Sequence, residues 1–420
     1  MRATENALES RDGIGAIVTG ADYRALGVVR SLGRRGIPVW VLKKANYPLA
    51  GASRYARHTL VWPEGEEARR AEFLLNLAVS RGLKGWVLFS TNDNAVGLVA
   101  RHHTSLAQQF RVTTPPWEVL RQLCDKWLLH RLVKGLDIDQ PSTICPRNRN
   151  ELAKLNCTFP VIVKPTIREA DNLLTVAKAW RVDDRDSLLA RYDDACALMS
   201  PNHILIQELV PGGGESQFSY GALCLDGHPL ASVTARRTRQ FPTDFGRFST
   251  HVETVEERGV VEPAVRLLAA VRYSGLVEVE FKRDPRDGRF KVLDVNPRVW
   301  GWHTLGARAG VDFPYLLWLL ARGGKIAEAH GRPGVRWIRE SADPPVAIMQ
   351  ILRRRLSMRA YLRSLRPPLV LAVFASDDPV PGLLEPLLLA YLFGKQLLPR
   401  LRHRLISFWR SKSARRRIHS

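Results

Sequence analysis

Apolar and polar positions along the first third of the chain alternate between short apolar runs and helical stripes. Residues 14–20, IGAIVTG, form an apolar run closing on glycine. Leu26, Val28, Val29 and Leu32 then recur at helical spacing as far as Gly36, and Ile37 to Leu42 resumes as a strand. Strand, helix and strand in that order predict a parallel sheet of Rossmann type. The pattern repeats with a helix over Phe73 to Arg81, a buried strand over Gly85 to Ser90 and a helix over Asn94 to His103. The turn Ser90-Thr91-Asn92-Asp93 falls at a strand's carboxyl end, where open α/β sheets bind ligands, and Asp93 is read first as a helix cap. Residues 117–135 predict one amphipathic helix with Leu120, Leu123, Trp127, Leu128 and Leu132 as its apolar stripe.

From there the pattern becomes strand-rich. Phe159 to Val163 is a β-branched run that delivers Lys164 directly before Pro165, and Thr175 to Val182 reads as another strand. His203 to Val210 runs into Pro211-Gly212-Gly213-Gly214-Glu215, a flexible turn leading to a strand over Ser216 to Leu225. After a strand over Leu230 to Thr234 comes a loop dense in Arg236, Arg237, Arg239 and Arg247, and then a helix over Val261 to Tyr273. Alternation over Val277 to Phe281 and Phe290 to Val295, about the turn residues 284–288, predicts an antiparallel hairpin. Gly310 and Pro314 divide the helical stretch that follows.

With 420 residues and 45% hydrophobic content, two or three domains with proper cores are expected. The opening residues mix acids and bases, and no run of about 18 apolar residues exists, so a cytoplasmic location without a secretory leader is the expectation. Five scattered cysteines without CxxC spacing fit reduced, structural thiols and exclude a zinc site of that kind. The net charge is +22, but Arg353 to Ser420 carries 15 Lys/Arg against 3 Asp/Glu, which is +12 and leaves +10 for the rest. A charge concentrated in the tail argues against nucleic acid as the main partner.

The hairpin carries the candidate chemistry. At period 2, Glu280, Asp294 and Asn296 can project to the same side of the sheet from neighbouring strands. Two carboxylates and an amide suit magnesium, which prefers oxygen ligands and completes its shell with water and nucleotide phosphates. Arg298 would sit beside the same phosphates. An ordinary polar hairpin face is the plain alternative. In the basic loop, Arg237 and its neighbours could grip a carboxylate through guanidinium forks or simply be solvated. His251 reads as structural, and Trp300, Trp302 and His303 as core packing rather than a lining for the acceptor pocket.

Glu280, followed fourteen positions later by Asp294-Val295-Asn296-Pro297-Arg298, resembles the metal-binding hairpin of the ATP-grasp superfamily, the group that includes biotin carboxylase, carbamoyl-phosphate synthetase and the D-alanine:D-alanine ligases. The resemblance implies ATP with magnesium or manganese, and an acyl-phosphate intermediate. It carries Lys126 and Lys164 over as phosphate- and adenine-contacting lysines and Lys178 as a second lid lysine. It makes Glu208, Leu209 and Val210 the backbone hinge that pairs with adenine, and Glu215 the acid that holds the ribose. Asp294 departs from the glutamate common in the family, and the lid segment TIREADNLLTVAKAW has no glycine, so Arg168 and Lys178 would have to neutralise phosphate through their side chains.

The expected fold class is therefore α/β and α+β: a flexible N-terminus (1–13), a Rossmann-like pre-ATP-grasp domain (14–116), a small subdomain with the lid (117–206), a large subdomain with the metal hairpin (207–330) and a basic, partly apolar helical tail (331–420). The implied reaction joins a carboxylate substrate to an amine acceptor and releases ADP, with Arg298, Lys178 and Arg237 at the reacting groups. A bicarbonate or thiol acceptor, or a non-catalytic nucleotide-binding protein, are the alternatives. Residues 383–398 and Arg415 to Arg417 make an anionic membrane surface a candidate partner for the tail. The sequence leaves the acid, the amine and the oligomeric state open.

Overall fold

The computed structural model of the chain describes residues 13–45, 47–167, 172–243, 246 and 248–391. Arg168, Arg247 and the basic end around Arg415 to Arg417 lie outside the described residues.

The first layer is a five-stranded parallel sheet made of β1 (Ala16–Thr19), β2 (Val39–Lys43), β3 (His58–Val61), β4 (Val87–Ser90) and β5 (Arg111–Val112) in the order β3-β2-β1-β4-β5. The pattern reading caught β1, β2 and β4. It missed β3, whose four residues are exposed or half-buried and so lack an apolar signature. Because the chain adds strands to one side of β1 and then to the other, a crevice opens at the carboxyl ends of β1 and β4. Gly20 lies there with φ +135°, and a Cβ would meet Thr91 Oγ1 at 2.2 Å, so only glycine lets the two strand ends close together.

The helix expected over residues 117–135 is two helices, Trp117–Cys124 and Lys126–Gly135. Asp125 takes an extended conformation between them and accepts from the Trp127 and Leu128 amides. The break turns the Lys126 amide away from the first helix, to donate to Thr166 O at 2.8 Å. A small antiparallel sheet follows: β6 (Thr143–Ile144), β7 (Val161–Pro165), β8 (Trp180–Val182) and β9 (Ile204–Glu208), in the order β6-β9-β7-β8. The strand expected over Thr175 to Val182 is only Trp180–Val182. Asn172 and Thr175 form a reciprocal capping box that winds Leu173–Ala177 into a helical turn despite its β-branched residues.

The large sheet contains β10 (Gln217–Leu225), β11 (His228–Phe241), β12 (Phe248–Thr254), β13 (Gly275–Arg283) and β14 (Phe290–Asn296), with β15 (Ala329–His330), β16 (Arg336–Ile338) and β17 (Leu369–Leu371) added from the C-terminal part. The segment expected to be a basic loop after Thr234 is the second half of β11. Residues 336–371 contribute strands to the same layer, and buried Arg239 of β11 is held by a bidentate pair to Asp343 at 2.8 Å for both bonds. One apolar core, including Val18, Leu26, Val233, Trp300, Phe313 and Trp337, joins the parallel sheet to the large sheet. A second core packs the helix Arg258–Ala270 against the opposite side of the large sheet. All five cysteines are free, as expected.

Candidate active site

The β13–β14 hairpin forms as its alternation predicts, and its register sets the chemistry. Glu280 lies directly opposite Asp294, and Glu278 opposite Asn296, so all four side chains share one side of the sheet. Asn296 Nδ2 donates to Glu280 Oε1 at 2.8 Å and to Glu278 Oε2 at 3.1 Å, while its Oδ1 accepts from Arg298 Nη2 at 2.9 Å. The amide therefore ties the carboxylates to Arg298, and its oxygen reaches a metal only if the amide turns over. Among the described residues no group of three or more His, Cys, Asp or Glu side chains gathers into a ready-made metal cage. Two opposed carboxylates still fit a magnesium ion whose remaining positions go to water and phosphate.

Lysines from the other layers meet this pair. Lys126, at the start of its helix, places Nζ 3.6 Å from Asp294 Oδ1, and the Asp294 carboxylate raises its pKa despite burial. Lys164 ends β7 almost fully buried and donates to Gln207 Oε1 at 2.8 Å; Gln207 in turn donates to Thr143 Oγ1 at 2.8 Å. Burial, aided by neighbouring Lys126 and opposed by Asp294, lowers the Lys164 pKa to about 8. Lys178 is not on a strand. It caps the turn Leu173–Ala177 in a left-handed conformation, φ +69°, and burial lowers its pKa against the pull of Glu280, Asp294 and Asp93.

Of the arginines placed on the expected loop, Arg237 alone among those described turns to the cluster, with Nη2 3.3 Å from Glu280 Oε2. Arg236 pairs with Glu253 and Arg239 with Asp343, which keeps both from the carboxylate cluster. Asp93 is not the helix cap. Asn92 takes that role by accepting from Ala95 N, and Asp93 instead forms an ion pair with Arg298, beyond β14. Burial pushes the Asp93 carboxyl up, but Arg298, Arg24 and Lys178 outweigh it and hold the pKa well below the usual range.

The hinge differs in part from expectation. The Glu208 amide donates to Ser142 O and the Leu209 amide to Pro160 O, so an adenine edge there meets Val210 and carbonyl oxygens instead of those two donors. The Glu208 side chain pairs with Arg286, which also holds Asp284, and so pins the small sheet to the hairpin turn. Glu215 accepts from Gly213 N and lines a cavity of about 990 Å³ together with Leu209, Val210 and Lys282. Trp300, Trp302 and His303 are buried, as the core reading had it.

Sequence reasoning missed Glu278. It is buried; it accepts from Trp302 Nε1 at 2.7 Å, and burial beside Glu280 raises its pKa. Its place two residues before Glu280, on the same face, was the available signal. Gln207 was read only as part of its strand, although it directly precedes Glu208.

Comparison with known proteins agrees with this geometry. Residues 202–341 match the family described as ATP-grasp in the biosynthetic pathway with Ter operon. D-aspartate ligase of Enterococcus faecium is 23% identical over 253 residues, covering 54% of this chain and 57% of that protein. The carbamoyl phosphate synthase large chain, C-terminal section, of Methanopyrus kandleri is 27% identical over 193 residues, 44% of this chain and 34% of that protein. The chain thus spans little more than half of the first relative and a third of the second. The L-amino acid ligase of Bacillus licheniformis superposes with a TM-score of 0.59 at 16% identity, covering 78% of this chain and 79% of that one. At the level of class, residues 202–341 match an ATP-grasp family and the chain shares the fold of the L-amino acid ligase.

Proposed function

We propose that the protein is an ATP- and magnesium-dependent ligase that joins a carboxylate to an amine through an acyl phosphate and releases ADP and phosphate. The observation that carries this reading is the in-register opposition of Glu280 and Asp294, with Lys126 3.6 Å from Asp294 and Lys164 buried beside both. Glu280 and Asp294, with Asn296 after its amide turns, would hold the metal. Bound there, magnesium or manganese would neutralise the terminal phosphates of ATP and orient them.

Lys126 and Lys164 bind and position the phosphates. Gln207 holds the Lys164 ammonium in place, and Val210 and Glu215 receive the base and ribose. Arg298, anchored by Asn296 and Asp93, and Arg237, anchored by Glu280, offer guanidinium groups to the substrate carboxylate and to the γ-phosphoryl group. Lys178, on the segment after β7, adds a further cation near Glu280 and Asp294. No side chain need act as nucleophile. The substrate carboxylate attacks the γ-phosphorus, the bond to the β–γ bridging oxygen breaks, and ADP leaves. The amine then attacks the acyl carbon, loses its proton, and expels phosphate. Positioning and charge stabilisation carry most of the work in such phosphoryl transfer.

ADP release measured against a panel of amino acids, dipeptides and amino sugars tests the reading. Amine-dependent ADP with equimolar phosphate is expected. AMP and pyrophosphate instead, or unchanged turnover in Glu280→Gln/Asp294→Asn, would overturn it.

A further inference from the structure

The C-terminal part between Asp343 and Arg366 presents a surface of unusual composition. Its first helix, Asp343–Leu352, buries Asp343, Val346 and Ala347, its second, Met358–Ser364, borders the cavity through Ala360, Arg363 and Ser364, and each exposes an apolar pair at i and i+4 spacing. Ile348 is 57% and Leu352 79% exposed; Met358 is 56% and Leu362 58% exposed. Exposed arginines are interleaved with them at 353, 354, 359 and 366, while Arg355 and Arg363 border the cavity. No Asp or Glu occurs from residue 344 to residue 376.

The acids that follow are each engaged by other parts of the protein, Asp378 and Glu385 buried and Asp377 in an exposed pair. Asp377 pairs with Arg34 at 2.7 Å and accepts from Tyr55. Asp378 pairs with Arg30 and accepts from Ser53. Glu385 pairs with Arg339 at 2.9 Å and accepts from Ser341. The C-terminal carboxylates are thus paired with Arg30, Arg34 and Arg339, while exposed cations stand among exposed aliphatic side chains on these two helices. A solvated charged surface has no need of those aliphatics, and a phosphodiester backbone gives them nothing to enter. A second copy of the chain, also at +22, would bring like charge onto like charge.

We propose that the unit 343–366 docks the protein on an anionic lipid surface, with Ile348, Leu352, Met358 and Leu362 entering the headgroup boundary and the arginines meeting lipid phosphates. This places the contact on folded helices before residue 383, upstream of the apolar tail singled out by the sequence. A basic, apolar face of this kind gains from both area burial and surface charge. Each arginine at such a surface contributes about 1 kcal/mol, or about fivefold in partitioning.

The test is flotation of the full chain with phosphatidylcholine vesicles made with and without phosphatidylglycerol, at low and high salt. Two variants are compared, Leu352→Asp/Leu362→Asp and Arg353→Gln/Arg354→Gln/Arg359→Gln, with unfolding midpoints matched to the parent. Expected are binding only to the anionic vesicles, weakening with salt, a loss of roughly a hundredfold in the arginine variant, and at least a tenfold loss in the leucine variant. Equal flotation of parent and leucine variant, or binding indifferent to phosphatidylglycerol, would overturn the proposal. So would failure of the parent to float while it associates with itself in a leucine-dependent way, or binding to a short DNA duplex that persists in the leucine variant and displaces vesicles.

Discussion

Lys164 gives the sharpest test of the cleft. The residue is 7% exposed with Gln207 as its neutral partner, and burial, aided by Lys126 and opposed by Asp294, lowers its pKa to about 8. A nucleotide triphosphate placed beside it adds negative charge and raises that pKa. The bound complex therefore holds more protons than the free protein above pH 8, and affinity must fall as pH rises there. With Lys164 ionised in about one molecule in eleven at pH 9, ATP affinity should be roughly tenfold weaker at pH 9 than at pH 7. Close to one proton should be taken up per nucleotide at pH 9 and about a tenth of one at pH 7. At pH 9 the phosphates of ATP are fully ionised and do not contribute. Titration calorimetry in buffers of different ionisation enthalpy reads the uptake directly. Lys164→Arg, charged throughout, should bind with no such pH dependence. Uptake near zero at pH 9 in the parent, or the same slope in the arginine variant, would refute the placement of the phosphates beside Lys164.

Other consequences are as direct. Glu280→Gln/Asp294→Asn should lower ADP-forming turnover at least about a hundredfold, read by steady-state kinetics, with the fold kept as judged by circular dichroism. Trp302→Phe removes a 2.7 Å donor from buried Glu278 and should cost about 1–3 kcal/mol in urea unfolding. Arg239→Ala strands fully buried Asp343 and should cost about 3–5 kcal/mol, whereas Arg239→Met with Asp343→Leu should restore most of it.

The elements legible in the chain were those with a local cause. The hairpin from Val277 to Asn296 was readable because period-2 alternation and a turn of Asp, Pro and Gly act within a few residues, but the opposition of Glu280 to Asp294 depends on a register shift between Glu280 and Phe281 that the alternation does not reveal. The first, second and fourth strands of the parallel sheet were readable because each is buried on both faces. β3 was not, because its residues are half in solvent. The break at Asp125 turned on a side chain competing for backbone amides, which a helical stripe running through it conceals.

What the sequence determined alone was the strands and helices with a strong local pattern, the acidic face of the hairpin, and the lysine delivered by β7. Tertiary structure decided which charges are left for chemistry. Arg236, Arg237 and Arg239 look equivalent in the chain, yet two find carboxylates on β12 and on the helix at Asp343, and only Arg237 finds Glu280. Asp93 could cap its helix locally, but Arg298, 205 residues further on, claims it instead. The reason is that a charge's role depends on the opposite charge nearest to it in space, and distance through the fold bears little relation to distance along the chain.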